Sequence, residues 1–555
     1  MVAGERMKRL VLAICSVMLT GCASIPTSGP VTVLGNVIDE GAVDSVRVIV
    51  RPPSADMTPE EIIQGFISAN ASTANNYAVA REYMTARAAS QWQPVETLVL
   101  DPVAADTQVL SESEINYSAI LVGKLERHHR FNLSEAQQDI EMNFRVTNTN
   151  LGWRIDSAPP EALMSKRDFA RNYRSATVYF LNDDFTRLVP EVVWVSRSES
   201  TTPTRLMRIL LAGTGGLLGP SFRSAIPPST ELLIGAVTRL DGLITVDLNA
   251  TALRVSESQR YAMLAQIVWT LTSPNSVSKV LVKAGGQELV VSNVSNLSRD
   301  MFKSLNPDRQ PPANPVIYVR NGKLFGGSLE QGSVLGAMTN LQSLSLSRVG
   351  SLLGGIANGV AILSSTTEPS VREKVAQDVV AIDFDLKSRL WLVKSDGSVW
   401  IKDGANPIQE VLGIPKSYRV SGLANSPDGS RVAIIGSDGS EPHLNLFGVI
   451  NSSTGVSLTA RVRLEQEFTE ALDVSWASST ELLVLARVGV DQPIVRLLSI
   501  NGTSSRSLGA PVGVRQVFSR YGLVPLAVTS QGTVWKLEDG AWQSLFRVTA
   551  INYAD

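Results

Sequence analysis

The chain is predicted to be multidomain: two α+β units followed by an all-β region assembled from repeated four-stranded units. Three observations predict this. Self-capped helix starts stand at Thr58 and Ser256, a proline run (Pro307, Pro311, Pro312, Pro315) marks the point after which helical spacing disappears, and beyond it a short motif recurs at a fixed distance. A length of 555 residues, 44% of them hydrophobic, is ample for several cores. A net charge of -2 argues against an electrostatic nucleic-acid partner.

The first element is a secretory signal over residues 1–21. Arg6, Lys8 and Arg9 precede an apolar core from Leu10 to Leu19 and small residues before Cys22. That core is about half of the roughly 20 residues a helix needs to span hydrocarbon, so cleavage is expected rather than a membrane span. Cleavage removes Cys15 and leaves Cys22 as the sole cysteine, which excludes a disulfide or a cysteine metal site. Residues 22–44 are small, polar and turn-rich (Pro26, Ser28, Gly29, Pro30, Gly35) and suit a flexible spacer.

Residues 45–165 are predicted as an α+β domain. Val46, Val48 and Val50 alternate as a strand stopped by Pro52-Pro53. Thr58-Pro59-Glu60-Glu61 is a capping box with proline at the first helical position, followed by the stripe Ile62, Ile63, Phe66, Ile67. A second helix is predicted from Tyr77 to Trp92, then strands over Ile115–Leu125, Asp139–Thr147 and Trp153–Ile155. His128 and His129, read as neighbours on a strand, point to opposite faces and so cannot serve one ligand as an acid/base pair. A solvated strand end is the expectation there.

Residues 175–298 form the second α+β domain. Strands over Ala176–Leu181 and Leu188–Val195 flank the turn Asn182-Asp183-Asp184, Thr202-Pro203 opens a helix that Gly213 ends, and Ser256-Glu257-Ser258-Gln259 opens another. Gly213-Thr214-Gly215-Gly216 has the composition of a phosphate loop but follows a helix and lacks the terminal Gly-Lys-Ser/Thr, so it is read as a flexible helix-ending loop. Residues 299–315 read as a proline-rich linker.

From 316 to 555, turn dipeptides (Asn321-Gly322, Asp396-Gly397, Asp428-Gly429, Asp438-Gly439, Asn501-Gly502) separate short β segments. Ser395-Asp396-Gly397-Ser398-Val399-Trp400 matches Ser530-Gln531-Gly532-Thr533-Val534-Trp535 at an offset of 135 residues, three units of about 45. Units beginning near Leu344, Ile382, Leu423, Val474 and Val517 superimpose, and Ser426-Pro427-Asp428-Gly429 suits a blade hairpin. A β-propeller of five or six blades follows, the sixth closed by the hairpin at 316–325 with the strand near Val548–Tyr553. Candidate chemistry is sparse. Asp383 and Asp385, two apart on one strand face, are the best acid pair and would carry an envelope hydrolase; turn-capping is the simpler role. His443 stands alone in the propeller, and Trp391, Trp400, Trp476, Trp535 and Trp542 are read as core rather than a sugar-binding floor. Motifs for metalloproteases, serine hydrolases and EF-hands are absent.

Several segments resemble known families. Leu19-Thr20-Gly21-Cys22 resembles the lipobox of bacterial lipoproteins, which implies an S-diacylglycerol and N-acyl Cys22, anchored in membrane lipid at the extracytoplasmic face. The helices and the Gly152-Trp153-Arg154-Ile155-Asp156 strand resemble the NTF2-like fold. Leu210-Leu211-Ala212-Gly213, Ala225-Ile226-Pro227-Pro228, Val246-Asp247-Leu248 and Ala265-Gln266-Ile267-Val268-Trp269-Thr270-Leu271-Thr272 resemble the GerMN domain of sporulation and germination proteins. The order of modules resembles the actinobacterial lipoprotein family LpqB. That resemblance implies a non-enzymatic accessory of the MtrAB two-component system that contacts the extracytoplasmic sensor region of the kinase MtrB, with effects on cell division and envelope homeostasis, and with no cofactor, metal or nucleic acid. The alternative is a surface receptor for envelope glycan or peptidoglycan fragments.

Overall fold

The computed structural model describes residues 51–553, except 74, 198–201, 273–276, 309–315, 339–340, 349, 465–467, 490–491 and 503. The lipobox Leu19–Cys22 and the strand expected over Val46–Val50 lie outside the described residues.

In the first domain, α1 (Pro59–Ala69) begins at the capping box: Thr58 Oγ1 accepts from the Glu61 amide at 3.3 Å, and Glu61 Oε2 accepts from the Thr58 amide at 2.8 Å. Its apolar stripe, Ile62, Ile63, Phe66 and Ile67, is buried against a five-stranded sheet. Each such side chain contributes about 1.5–3 kcal/mol by leaving water. The single helix expected from Tyr77 to Trp92 is two short ones, α2 (Ala78–Glu82) and α3 (Ala86–Gln91). Thr85 breaks it, because its hydroxyl accepts from the Ala88 amide and starts a new helix.

The sheet orders β4 (Gly152–Ser157), β3 (Phe131–Thr149), β2 (Glu114–Leu125), β1 (Thr97–Ser111) and β5 (Ala162–Ser165). Strand β1 is absent from the sequence expectation because Asp101-Pro102 and Asp106 interrupt its alternation; its register with β2 shifts there. Helix α4 (Lys166–Asn172) joins the first two domains through an aromatic stack in which Phe169 meets Phe131 at 4.8 Å, Trp194 at 4.7 Å and Tyr173 at 5.1 Å.

The second domain pairs β6 (Tyr173–Leu181) with β7 (Leu188–Ser196) and, after α5 (Thr202–Leu211), builds a separate sheet from β8 (Thr238–Leu240), β9 (Leu243–Leu248) and β10 (Lys279–Ala284). β9 and β10 run parallel and are connected through α6 (Glu257–Leu271), which begins at the Ser256 cap. Every residue of α6 from Ala262 to Leu271 is buried, so the helix is the centre of the domain. Its two buried polar side chains are satisfied: Gln266 accepts from the Ala225 amide and donates to the Tyr179 carbonyl, and Thr270 accepts from the Tyr179 amide.

Residues 299–308, read as linker, do not swing free. Phe302 and Leu305 are buried on α6, and Arg299 stacks over Trp269 with its guanidinium 4.6 Å from the ring centroid.

Beyond residue 315 the chain forms six sheets of a propeller among the described residues. Blade one combines 316–337 with the strand 550–553; blades two to six occupy 343–376, 379–410, 419–463, 470–507 and 514–547. The innermost strands of blades two to six contain Leu344, Ile382, Leu423, Val474 and Val517, the five positions at which the repeat units begin. The matching turns at 395–398 and 530–532, and Asn321-Gly322, all separate the second and third strands of their blades. Closure comes from Val316–Val319 pairing antiparallel with Ala550–Tyr553.

Candidate functional site

The innermost strands surround a central cavity of about 510 Å³ bordered by Asp383, Asp473, Arg348, Arg515, Tyr521 and Asn552 among others. Its polar lining comes from the strand period, which turns alternate residues away from the core between blades. Most of these groups are engaged in stapling one blade to the next. Asn552 donates to the Leu344 carbonyl, Ser345 to Asp383, the Asn425 amide to Asp383 at 2.7 Å, and the Trp476 indole to the Ala424 carbonyl at 2.9 Å. The Val517 amide donates to Asp473 at 2.7 Å, the Ser519 amide to Ser475, and the Tyr553 hydroxyl to the Val524 carbonyl. Together they form a circumferential ring that spans all six blade junctions. Burial pushes Asp473 up to about 7, with the Val517 and Val474 amides pulling the other way.

Asp383 and Asp385 do not act as a pair. The strand ends at Phe384, so Asp385 stands in the following turn, where it accepts from the Lys387 and Arg389 amides, Arg389 Nε and the Trp391 indole. It is a turn cap. Of the five propeller tryptophans, Trp391 is fully buried; only Trp476 borders the cavity, and its ring is 6% exposed with its N–H engaged. His443 lies against Arg463 at the cavity-remote end of its strand, lowered by burial and by Arg463. Among the described residues no three His, Cys, Asp or Glu side chains converge as metal ligands, and no helix is long and apolar enough to cross a membrane.

A second polar centre lies where the second domain docks on the propeller, and the sequence pointed to it only through Ser426-Pro427-Asp428-Gly429. The turns between first and second strands of blades three to five supply the docking contacts. Asp428, fully buried, accepts from the Ser426 hydroxyl and the Ser430 amide, and forms an ion pair with Arg431. Arg431, 1% exposed, also donates to the Ser479 carbonyl at 2.9 Å and to the Pro190 carbonyl of β7 at 3.0 Å. Asn182 donates to the Asp428 carbonyl, Lys387 pairs with Asp183 at 2.7 Å, and Asp308 accepts from the Ser479 amide and hydroxyl. On the other side of β7, Arg130 of the first domain grips Glu191 through Nε and, at 2.5 Å, Nη2. Burial pushes Glu191 up while Arg130 holds it back.

The histidine pair requires a correction. His128 and His129 stand in the turn between β2 and β3, not on a strand, with His129 at φ +62°, so strand alternation does not separate them. Both face one cleft of about 470 Å³ together with Arg127, Arg205 and Arg208. Gly213 ends α5 at φ +84°, as expected, but the loop after it is packed: a side chain at Gly215 would meet His128 and Arg130 at 3.1 Å.

Comparisons with known proteins follow the same three modules. Residues 52–170 match the family described as Lipoprotein LpqB, N-terminal domain; 177–290 match Sporulation and spore germination, the GerMN domain; 331–552 match Lipoprotein LpqB beta-propeller domain. The chain is 25% identical to Lipoprotein LpqB of Thermobifida fusca over 95% of both chains. It is 27% identical to Lipoprotein LpqB of Streptomyces avermitilis over 96% of this chain and 95% of that one. Among solved structures, TolB from Acinetobacter baumannii matches 50% of this chain and 84% of its own at 13% identity and a TM-score of 0.36.

Proposed function

Because the chain belongs to the actinobacterial LpqB lipoproteins, we propose that it is a lipid-anchored, non-enzymatic binding protein of the outer membrane face of the cell. In this reading Leu19-Thr20-Gly21-Cys22 is the processed lipobox, and Cys22 carries an S-diacylglycerol and an N-acyl group. Confinement to the membrane plane raises the effective concentration near membrane-embedded partners, so a weak contact suffices. The partner is the extracytoplasmic sensor region of the kinase MtrB, through which the protein adjusts MtrAB signalling, cell division and envelope homeostasis.

The observation that carries the reading is the ring of hydrogen bonds that joins each blade to the next across the propeller's interior. Asp383, Asp473 and Asp385 accept from backbone amides and so hold neighbouring strands and turns in place, which suits a stiff platform. Of the five tryptophans, only Trp476 borders the channel, and it is buried with its N–H engaged, so none of them offers a glycan an open ring there. Crosslinking in intact cells tests the proposal. The wild-type chain is expected to capture the kinase sensor region, with at least a tenfold loss for Cys22→Ser, which stays unanchored. A wild-type chain that is acylated and folded yet captures no kinase sinks it.

A further inference from the structure

The cleft between the β2–β3 turn and α5 holds charge without a counter-charge. Positions 205, 208 and 209 are three and four residues apart, which sets Arg205, Arg208 and Ile209 on one face of α5. That face looks across the cleft at Arg127, His128 and His129. Arg208 spends one N–H on the Gly235 carbonyl, while Arg127 and Arg205 have no hydrogen-bond or ion-pair partner among the described residues. Among the described residues no carboxylate lines the cleft. Glu126 and Glu191, the carboxylates whose charges reach His128, are committed elsewhere: Glu126 accepts from Asn132 at 2.6 Å, and Glu191 is held by Arg130.

Like charges three residues apart on a helix destabilise it, and guanidinium groups matched to nothing keep their full capacity for bidentate donation. A volume of about 470 Å³ lies within the range of about 300–1,000 Å³ usual for small-ligand sites. Burial and Arg205 also push His129 down to about 4, leaving it neutral at pH 7, where one ring nitrogen donates and the other accepts. We propose that this cleft is a binding site for a phosphate-bearing ligand, clamped between Arg127 and His128 of the first domain and Arg205 and Arg208 of the second. A bound phosphate bridges the two domains at a place where no described carboxylate does.

Calorimetric titration of the full chain in non-ionic detergent at low ionic strength, with inorganic phosphate and pyrophosphate as probes, tests the site. Binding is expected, stronger for pyrophosphate, and Arg127→Gln or Arg205→Gln should each weaken it about tenfold, the loss of one charge-assisted contact. Arg205→Lys, which keeps the charge, should retain most of the affinity, and Arg506→Gln on a remote exposed strand should retain all of it. The His129 ring resonances should shift with phosphate in wild type, and in Arg205→Gln should need about ten times more phosphate to reach half of that shift. Unchanged affinity in both glutamine variants, an equal loss in Arg506→Gln, or no binding at all overturns the proposal. Vesicles containing phosphatidylglycerol, against phosphatidylcholine alone, distinguish a lipid headgroup from a soluble phosphate: competition by those vesicles for the pyrophosphate site identifies the former, and its absence the latter.

Discussion

The second domain has two polar seams, and they are built to opposite rules. Towards the propeller, buried and half-buried charges meet partners: Asp428 with Arg431, and Asp183 with Lys387; the same rule holds at one point towards the first domain, where Glu191 meets Arg130. Towards the first domain, Arg127, Arg205 and Arg208 converge with no acid among the cleft residues. Burial of charge is tolerated only when it is matched, so the first seam is what a permanent joint looks like. The second keeps its charges wet and unspent, which is how a binding surface is preserved through folding.

The comparison breaks most sharply at Arg431. Replacing it with methionine fills the volume but leaves Asp428 buried and unpaired, and removes the donors to Pro190 and Ser479. Arg431→Met should cost about 3–5 kcal/mol in chemical denaturation. A smaller but more diagnostic effect belongs to Asp473. Its folded value is raised to about 7, so the folded state holds the proton more tightly than the unfolded chain does. The contribution of this group to stability is therefore fully present below about pH 4 and is lost as the pH rises through 7. Asp473→Asn should flatten that decline when denaturation midpoints are compared across pH 4–8, and an unaltered slope would refute the assignment. The smallest effect is expected in the open cleft: Arg205→Gln should change stability by no more than about 0.5 kcal/mol, with the sign towards stabilisation as repulsion is relieved. A large destabilisation there would mean that the two seams obey one rule after all.

Much of this architecture was legible before any coordinates. Short-range rules sufficed for the capping box at Thr58 and for the Ser256 cap, because a cap is a contract between residues three apart; the reciprocal half expected at Ser256 does not form, since the Gln259 side chain donates to the Ala225 carbonyl instead. Repeats sufficed for the propeller, since each blade must solve the same packing problem, and the unit starts fell on the innermost strands. The blade number needed the C-terminal strand, whose pairing with 316–319 is set by neither segment alone. Apart from that closure, what escaped was decided at a distance. Ser426-Pro427-Asp428-Gly429 looked like a hairpin and is one, but nothing local says that Arg431 reaches Pro190 across a domain boundary. Phe302 and Leu305 sat in a segment judged by its prolines, and their burial on α6 depended on a helix some 40 residues earlier. His128 and His129 were misjudged because a two-residue period was applied to a turn, where His129 takes a positive φ and the period fails.

The pairing of Val316–Val319 with Ala550–Tyr553 also sets an order of events. Segments about 230 residues apart must meet before the ring is complete. A polypeptide synthesised from its N-terminal end presents the opening strand of blade one about 230 residues before its locking strand. Until then two sheet edges stay bare, and exposed edges invite pairing with other chains. Removing the strand 550–553 would therefore leave an open, adhesive arc in place of a sealed ring.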